Sequence, residues 1–137
     1  MPSRPSTGKK VSARPSPPKL LPVSEDMKAW SSMLGEELKS WPGVSLRPMF
    51  GLISFYRGSA IFAALPRSRA LHSSSAFILK LHDQDSCRAR ITADPRIVER
   101  GEGLGVIGRN WLAFEIRSEQ DLHDALVWLQ LAYEKAA

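Results

Sequence analysis

The chain has 137 residues, of which 43% are hydrophobic and 24% charged, enough for one domain with one packed core. A single cysteine, Cys87, excludes a disulfide framework and a cysteine-based zinc site, and no apolar run approaches the roughly 20 residues of a membrane span. The net charge of +5 belongs to the start of the chain: residues 1–22 carry Arg4, Lys9, Lys10, Arg14 and Lys19 and no acid, whereas residues 23–137 balance 14 basic with 14 acidic residues.

Residues 1–22 also hold six of the ten prolines and no aromatic residue. Proline removes backbone donors, and a polar stretch of one charge sign cannot offset its ordering entropy. They read as a disordered basic arm without the apolar segment of a secretory signal, so the expected compartment is the cytoplasm. Residues 23–137 read as one domain.

Ser24 before Glu25 and Asp26 predicts a helix start. Met27, Trp30, Leu34, Leu38 and Trp41 form one apolar stripe, and Pro42-Gly43 ends the helix. Val44 to Arg47 reads as extended. Gly51–Tyr56 and Ala60–Leu65 read as two strands of a hairpin joined by Arg57-Gly58-Ser59. PRSRALHSSS, from Pro66, reads as a polar loop. Ala76–His82 is a strand with Phe77, Leu79 and Leu81 on one face. Asp83 to Arg90 fits either a short helix or a link, and Asp94-Pro95 opens a short helix through Arg100. GEGLGVIG is loop. Asn110–Ile116 is a strand with Leu112, Phe114 and Ile116 on one face, and Trp111, Ala113 and Glu115 on a more exposed one. Ser118, with Asp121 three residues on, starts the last helix. Its inner stripe is Leu122, Leu126, Leu129 and Tyr133, widened by Ala125 and Leu131. The expected fold is α+β: an antiparallel sheet of about five strands flanked by an N-terminal and a C-terminal helix.

Within the neutral domain, residues 40–93 hold Arg47, Arg57, Arg67, Arg69, Lys80, Arg88 and Arg90 against Asp83 and Asp85. Gathered on one face, these seven cations would contact phosphates; the alternative is that they are solvated or paired with acids on neighbouring elements. Trp111 and Trp128 are candidates for an interaction surface, while Trp30 and Trp41 belong to the core stripe. Gly103-x-Gly105-x-x-Gly108 has the dinucleotide spacing, but a strand follows it where a helix is required, so a turn is expected. His72, His82 and His123 read as surface histidines and Cys87 as a half-buried thiol. No G-x-S-x-G elbow appears. No catalytic residue, metal or cofactor is expected.

Arg47-x-Met49-Phe50-Gly51, the Phe55-Tyr56-x-Gly58 hairpin, Phe62-Ala63 and the Leu79-Lys80 strand are similar to the N-terminal domain of TfoX/Sxy competence regulators and to the larger YjbR/MmcQ-like group. The ending, Trp111-x-x-Phe114-x-Ile116-x-Ser118 through Leu129 and Tyr133-Glu134, also resembles a small bacterial family loosely called the "luciferase family". The resemblance covers roughly residues 24–136. It implies a helix-flanked antiparallel sheet, no known enzyme activity, a link to transcriptional control and a DNA-binding surface. The expected function is a non-enzymatic binding module with DNA as partner. The alternative is a protein–protein adaptor or homodimer of the same fold, and a ligand pocket near Cys87 and the glycine run is a third.

Overall fold

Two serines open the two long helices. The Ser24 hydroxyl oxygen accepts the Met27 N–H, and that of Ser118 accepts the Asp121 N–H, each satisfying a donor that a helix start leaves free. The structure is a computed structural model and describes residues 20–99 and 110–137; the first nineteen residues of the basic arm and the glycine run Gly103–Gly108 lie outside them. The helices are α1 (Glu25–Lys39), α2 (Arg88–Ala93, preceded by a 3-10 turn at Asp85–Cys87) and α3 (Glu119–Lys135). The strands are β1 (Leu21–Pro22), β2 (Val44–Met49), β3 (Leu52–Arg57), β4 (Ala60–Pro66), β5 (Arg69–Ala70), β6 (Ala76–Lys80), β7 (Ile97–Val98) and β8 (Trp111–Glu115). The fold is α+β, with a six-stranded antiparallel sheet in the order β2-β3-β4-β6-β8-β7 and a two-stranded sheet of β1 and β5.

Strand alternation gives the large sheet two faces. On the helix side Phe55, Ala63, Leu65, Phe77, Leu79, Leu112 and Phe114 pack with Met27, Leu34 and Leu38 of α1 and Ala125, Trp128 and Leu129 of α3. Between Phe55 and Tyr56 the β3–β4 register shifts by one residue, and the extra residue, Phe62, joins this core. β2 is an edge strand, which explains why it tolerates Pro48, a residue with no backbone donor.

The opposite face is also covered, contrary to expectation. Leu52, Ala64, Ala76, Ile78, Trp111 and Ala113 form a second cluster with Leu71, against which Leu20 packs. Ala70 and Leu71 are buried inside the stretch read as a polar loop, because Ala70 pairs with Leu21. Thus the end of the arm, Leu21-Pro22, is a strand and not part of a disordered segment. The helix expected from Asp94 does not form either. The Asp94 carboxylate accepts the Arg96 N–H in a turn, and Ile97-Val98 pairs with Ala113-Phe114. On α3 the buried stripe is Leu122, Ala125, Trp128, Leu129 and Ala132, with Leu126, Leu131 and Tyr133 at its margins.

The end of α1, the tail of α3 and β4 meet in an aromatic cluster. The Tyr133 ring lies 5.2 Å from Trp41 and 5.6 Å from Phe62, both edge-on, and its hydroxyl donates to the Pro42 carbonyl at 2.6 Å. Tyr133→Phe keeps the ring and deletes one hydrogen bond, so it should lower stability by about 1 kcal/mol, read as a urea midpoint shift with unchanged slope. A loss near 3 kcal/mol would mean that the hydroxyl positions the whole cluster.

Candidate functional site

The β2–β3 turn organises one end of the molecule. Phe50 and Gly51 have φ of 52° and 85°, the positive-φ pair of a tight two-residue hairpin. The Gly51 carbonyl accepts the N–H groups of Arg67, Ser68 and Arg69 at 3.1, 2.9 and 3.2 Å. The link from β4 to β5 therefore wraps the hairpin tip and sets Arg67 and Arg69 beside it. Arg69 pairs in register with Pro22 of β1. Arg47 stands on the exposed edge strand β2, its guanidinium 5.2 Å from the Tyr56 ring centre. Arg67 and Arg69 are exposed, and none of these three arginines makes an ion pair among the described residues.

The other four cations lie elsewhere, so the seven do not form one patch. Arg57 donates to the Tyr133 carbonyl at 3.0 Å and stacks 4.2 Å from that ring, capping the end of α3. Lys80 sits over Trp111 at 5.9 Å. Arg88 is paired with Glu99 and bonded to Gln84, and Arg90 lies 5.2 Å from the Trp128 ring. Glu99 follows β7, the edge opposite β2, and five inter-strand spacings of about 4.8 Å separate the two edges by roughly 24 Å.

Both tryptophans expected at a surface are buried. Trp111 is 7% exposed within the second cluster, and Trp128 is 4% exposed, its indole N–H donating to Asp94 at 3.1 Å. Cys87 is buried at the start of α2. His82 and His123 are exposed, but His72 is partly buried. His72 has a φ of 68°, and its Nε2 lies 3.6 Å from the Glu115 carboxylate, which also accepts the Ser75 hydroxyl at 2.9 Å. The carboxylate separates serine from histidine, so the trio lacks the hydrogen bond by which a base activates a nucleophile. Among the described residues there is no cluster of three potential metal ligands and no helix long and apolar enough to cross a membrane.

The strongest electrostatic feature was not anticipated. Arg96 makes a two-pronged bond to Asp94 (both 2.9 Å), and its Nη1 donates to Asp121 at 2.9 Å and Asp124 at 2.7 Å. The ring of Phe114 lies 5.0 Å from its guanidinium carbon. Hydrogen bonding to Asp94 first, and then to Asp124 and Asp121, raises the Arg96 pKa further above its ordinary value, against the effect of burial. This node ties the segment before β7 to the first turns of α3, and its cation is consumed internally. The sequence signals were the Asp94-x-Arg96 spacing, which suits a side-chain turn, and Asp121 and Asp124 on one helix face.

The chain matches no protein-family model, no curated protein and no solved structure. Fold and site together define a small α+β module with an arginine-bearing hairpin end, beside which β1 pairs with β5.

Proposed function

We propose that the protein is a non-enzymatic binding module that holds nucleic acid by its phosphates at the hairpin end. The observation that carries this reading is the anchoring of the end of the acid-free segment: its last residues form β1, whose Pro22 is the register partner of Arg69, two residues from Arg67. The segment before β1 carries five cations and no acid in its sequence, and Arg67 and Arg69 stand beside the hairpin tip without ion pairs among the described residues. The likeness of Arg47 to Gly51 to the competence regulators agrees with this reading and suggests duplex DNA, a role in transcriptional control and work in the bacterial cytoplasm.

Fluorescence anisotropy with a short DNA duplex tests it. Affinity should fall steeply between 50 and 200 mM salt, the log–log slope being about −0.9 per phosphate neutralised. Arg67→Gln with Arg69→Gln should weaken binding and flatten that slope by roughly two. Arg88→Gln, on the far edge, should leave both unchanged. Absence of binding at low salt, or equal losses from the two sets of substitutions, would remove the reading.

A second reading, a homodimer or protein adaptor, is favoured by the exposed Leu46 (42%) on the open-edged strand β2 and the exposed Phe50 (57%) at its turn. Sedimentation at two concentrations separates the cases, since dimerisation through this edge gives a mass that rises with concentration.

A further inference from the structure

A groove runs beside helix α1 along strands β2 to β4. Lys28, Ser31, Ser32 and Gly35 follow one helix stripe, and three of the four are small. Across from them the strands present Leu46, Ile53, Phe55 and Leu65. A helix seated on such a surface ordinarily supplies large apolar side chains. Small ones leave a groove of about 510 Å³ between α1 and strands β2 to β4, within the size range of small-molecule sites.

Three further features point to an occupant. Ser31 lines this groove and is buried (7% exposed), and its hydroxyl has no hydrogen-bond partner among the described residues, a condition that destabilises a fold unless something else takes the bond. Leu46 keeps a large apolar side chain exposed at the groove's margin. Around the rim, Lys28 and Lys39 are engaged by Glu25 and Glu36, while Arg67 has no ion pair among the described residues. The groove thus joins apolar residues to one guanidinium without an ion pair and to a hydroxyl without a partner among the described residues.

We propose that this groove binds a small amphipathic anion, a carboxylate carried on an apolar chain or ring. The apolar part lies against Leu46 and Ile53, above the buried Phe55 and Leu65, the carboxylate meets Arg67, and an oxygen accepts the Ser31 hydroxyl. Arg67 is shared with the nucleic-acid reading, but Ser31 and Gly35 have no part in it, so substitutions at those two positions test the groove alone.

Calorimetric titration of the full chain with decanoate and with 2-naphthoate tests the proposal, with decanol and acetate as comparisons. Both probes should bind one to one, with decanol at least tenfold weaker and acetate without measurable heat. Gly35→Leu should abolish binding. A Cβ at Gly35 would meet Phe55 Cζ at 3.6 Å and Leu65 Cδ1 at 3.9 Å, ordinary contacts, so the longer side chain extends into the groove, and leucine favours the helix more than glycine does. Arg67→Gln should weaken decanoate about tenfold and Ser31→Ala severalfold, while circular dichroism shows each variant folded. Gly35→Leu should keep its DNA affinity, so failure of one proposal is distinguishable from failure of the other. No heat with either probe, equal affinity for decanol and decanoate, or undiminished binding by a folded Gly35→Leu variant would each overturn the assignment.

Discussion

Arg96→Ala should cost about 2–3 kcal/mol of unfolding free energy. The direct partners are three carboxylates, and truncating the guanidinium leaves them facing one another without a counter-charge. Breaking a buried pair by removing one partner costs about 3–5 kcal/mol. The side chains of Arg96, Asp94 and Asp121 are 26%, 12% and 17% exposed, so water screens part of that and the lower figure applies. Trp128 is a further casualty, because its indole N–H bonds the Asp94 oxygen that Arg96 also holds. Arg96→Lys should recover less than half the loss, since one ammonium cannot reproduce the planar fork on Asp94 while also reaching Asp121 and Asp124. Urea unfolding of the three proteins measures this directly. A loss under about 0.5 kcal/mol for Arg96→Ala, the scale of a surface pair, would show the node to be ornamental.

The same node sets an acid limit on stability. Hydrogen bonds from Arg96 hold the Asp94 carboxyl below its ordinary value of 3.8, outweighing burial. Burial alone would raise Asp121, but the Arg117 N–H and the Arg96 guanidinium together hold it below 3.8 as well. A carboxyl that binds its proton more weakly when folded adds stability at pH values above its unfolded pKa. That addition disappears as pH falls through the folded pKa. Wild-type stability should therefore decline from about pH 5 downward. For Arg96→Ala the decline should be shallower, because the chief cause of the Asp94 depression is gone while Asp121 keeps its bond from Arg117.

These effects depend on contacts whose visibility in the sequence differed with their range. The helix starts were legible because Ser24 and Ser118 each satisfy a donor three residues on, and the Gly58-Ser59 hairpin was legible because turn chemistry is local. β5 and β7 were not. Each is two residues long, and only a distant partner makes it a strand: Leu21-Pro22 for β5, Ala113-Phe114 for β7. The alternation around Trp111 gave two faces correctly, but burial of the second face comes from Leu71 and Leu20, which lie outside the large sheet. Counting cations between residues 40 and 93 said nothing about strand order, and the order places Arg47 and Arg88 toward opposite edges. The groove was hidden for a different reason: its signal is what α1 lacks at Ser31, Ser32 and Gly35, and missing bulk has no periodicity to detect.

Gly51 links this architecture to the proposed nucleic-acid surface. Gly51→Ala should destabilise by about 2–4 kcal/mol, for two separable reasons. The φ of 85° is strained for any residue with a Cβ, which costs about 1 kcal/mol. A Cβ there would also come within 2.9 Å of Arg69 Cβ and Cγ and of Ser68 Oγ. Those atoms are held by the three N–H groups converging on the Gly51 carbonyl, so relief requires the link to move and its bonds to lengthen. Gly58→Ala supplies the comparison: its φ is 61°, yet a Cβ there would meet nothing within 4 Å, so only the backbone cost applies. Urea unfolding should therefore show Gly51→Ala losing at least 1 kcal/mol more than Gly58→Ala. Because the displaced link carries Arg67 and Arg69, Gly51→Ala should also lose DNA affinity at temperatures where it remains folded, and Gly58→Ala should not. Equal losses of stability would mean that the close approach of Arg69 is relieved without cost, and equal DNA binding by the two variants would detach the hairpin turn from the proposed phosphate contacts.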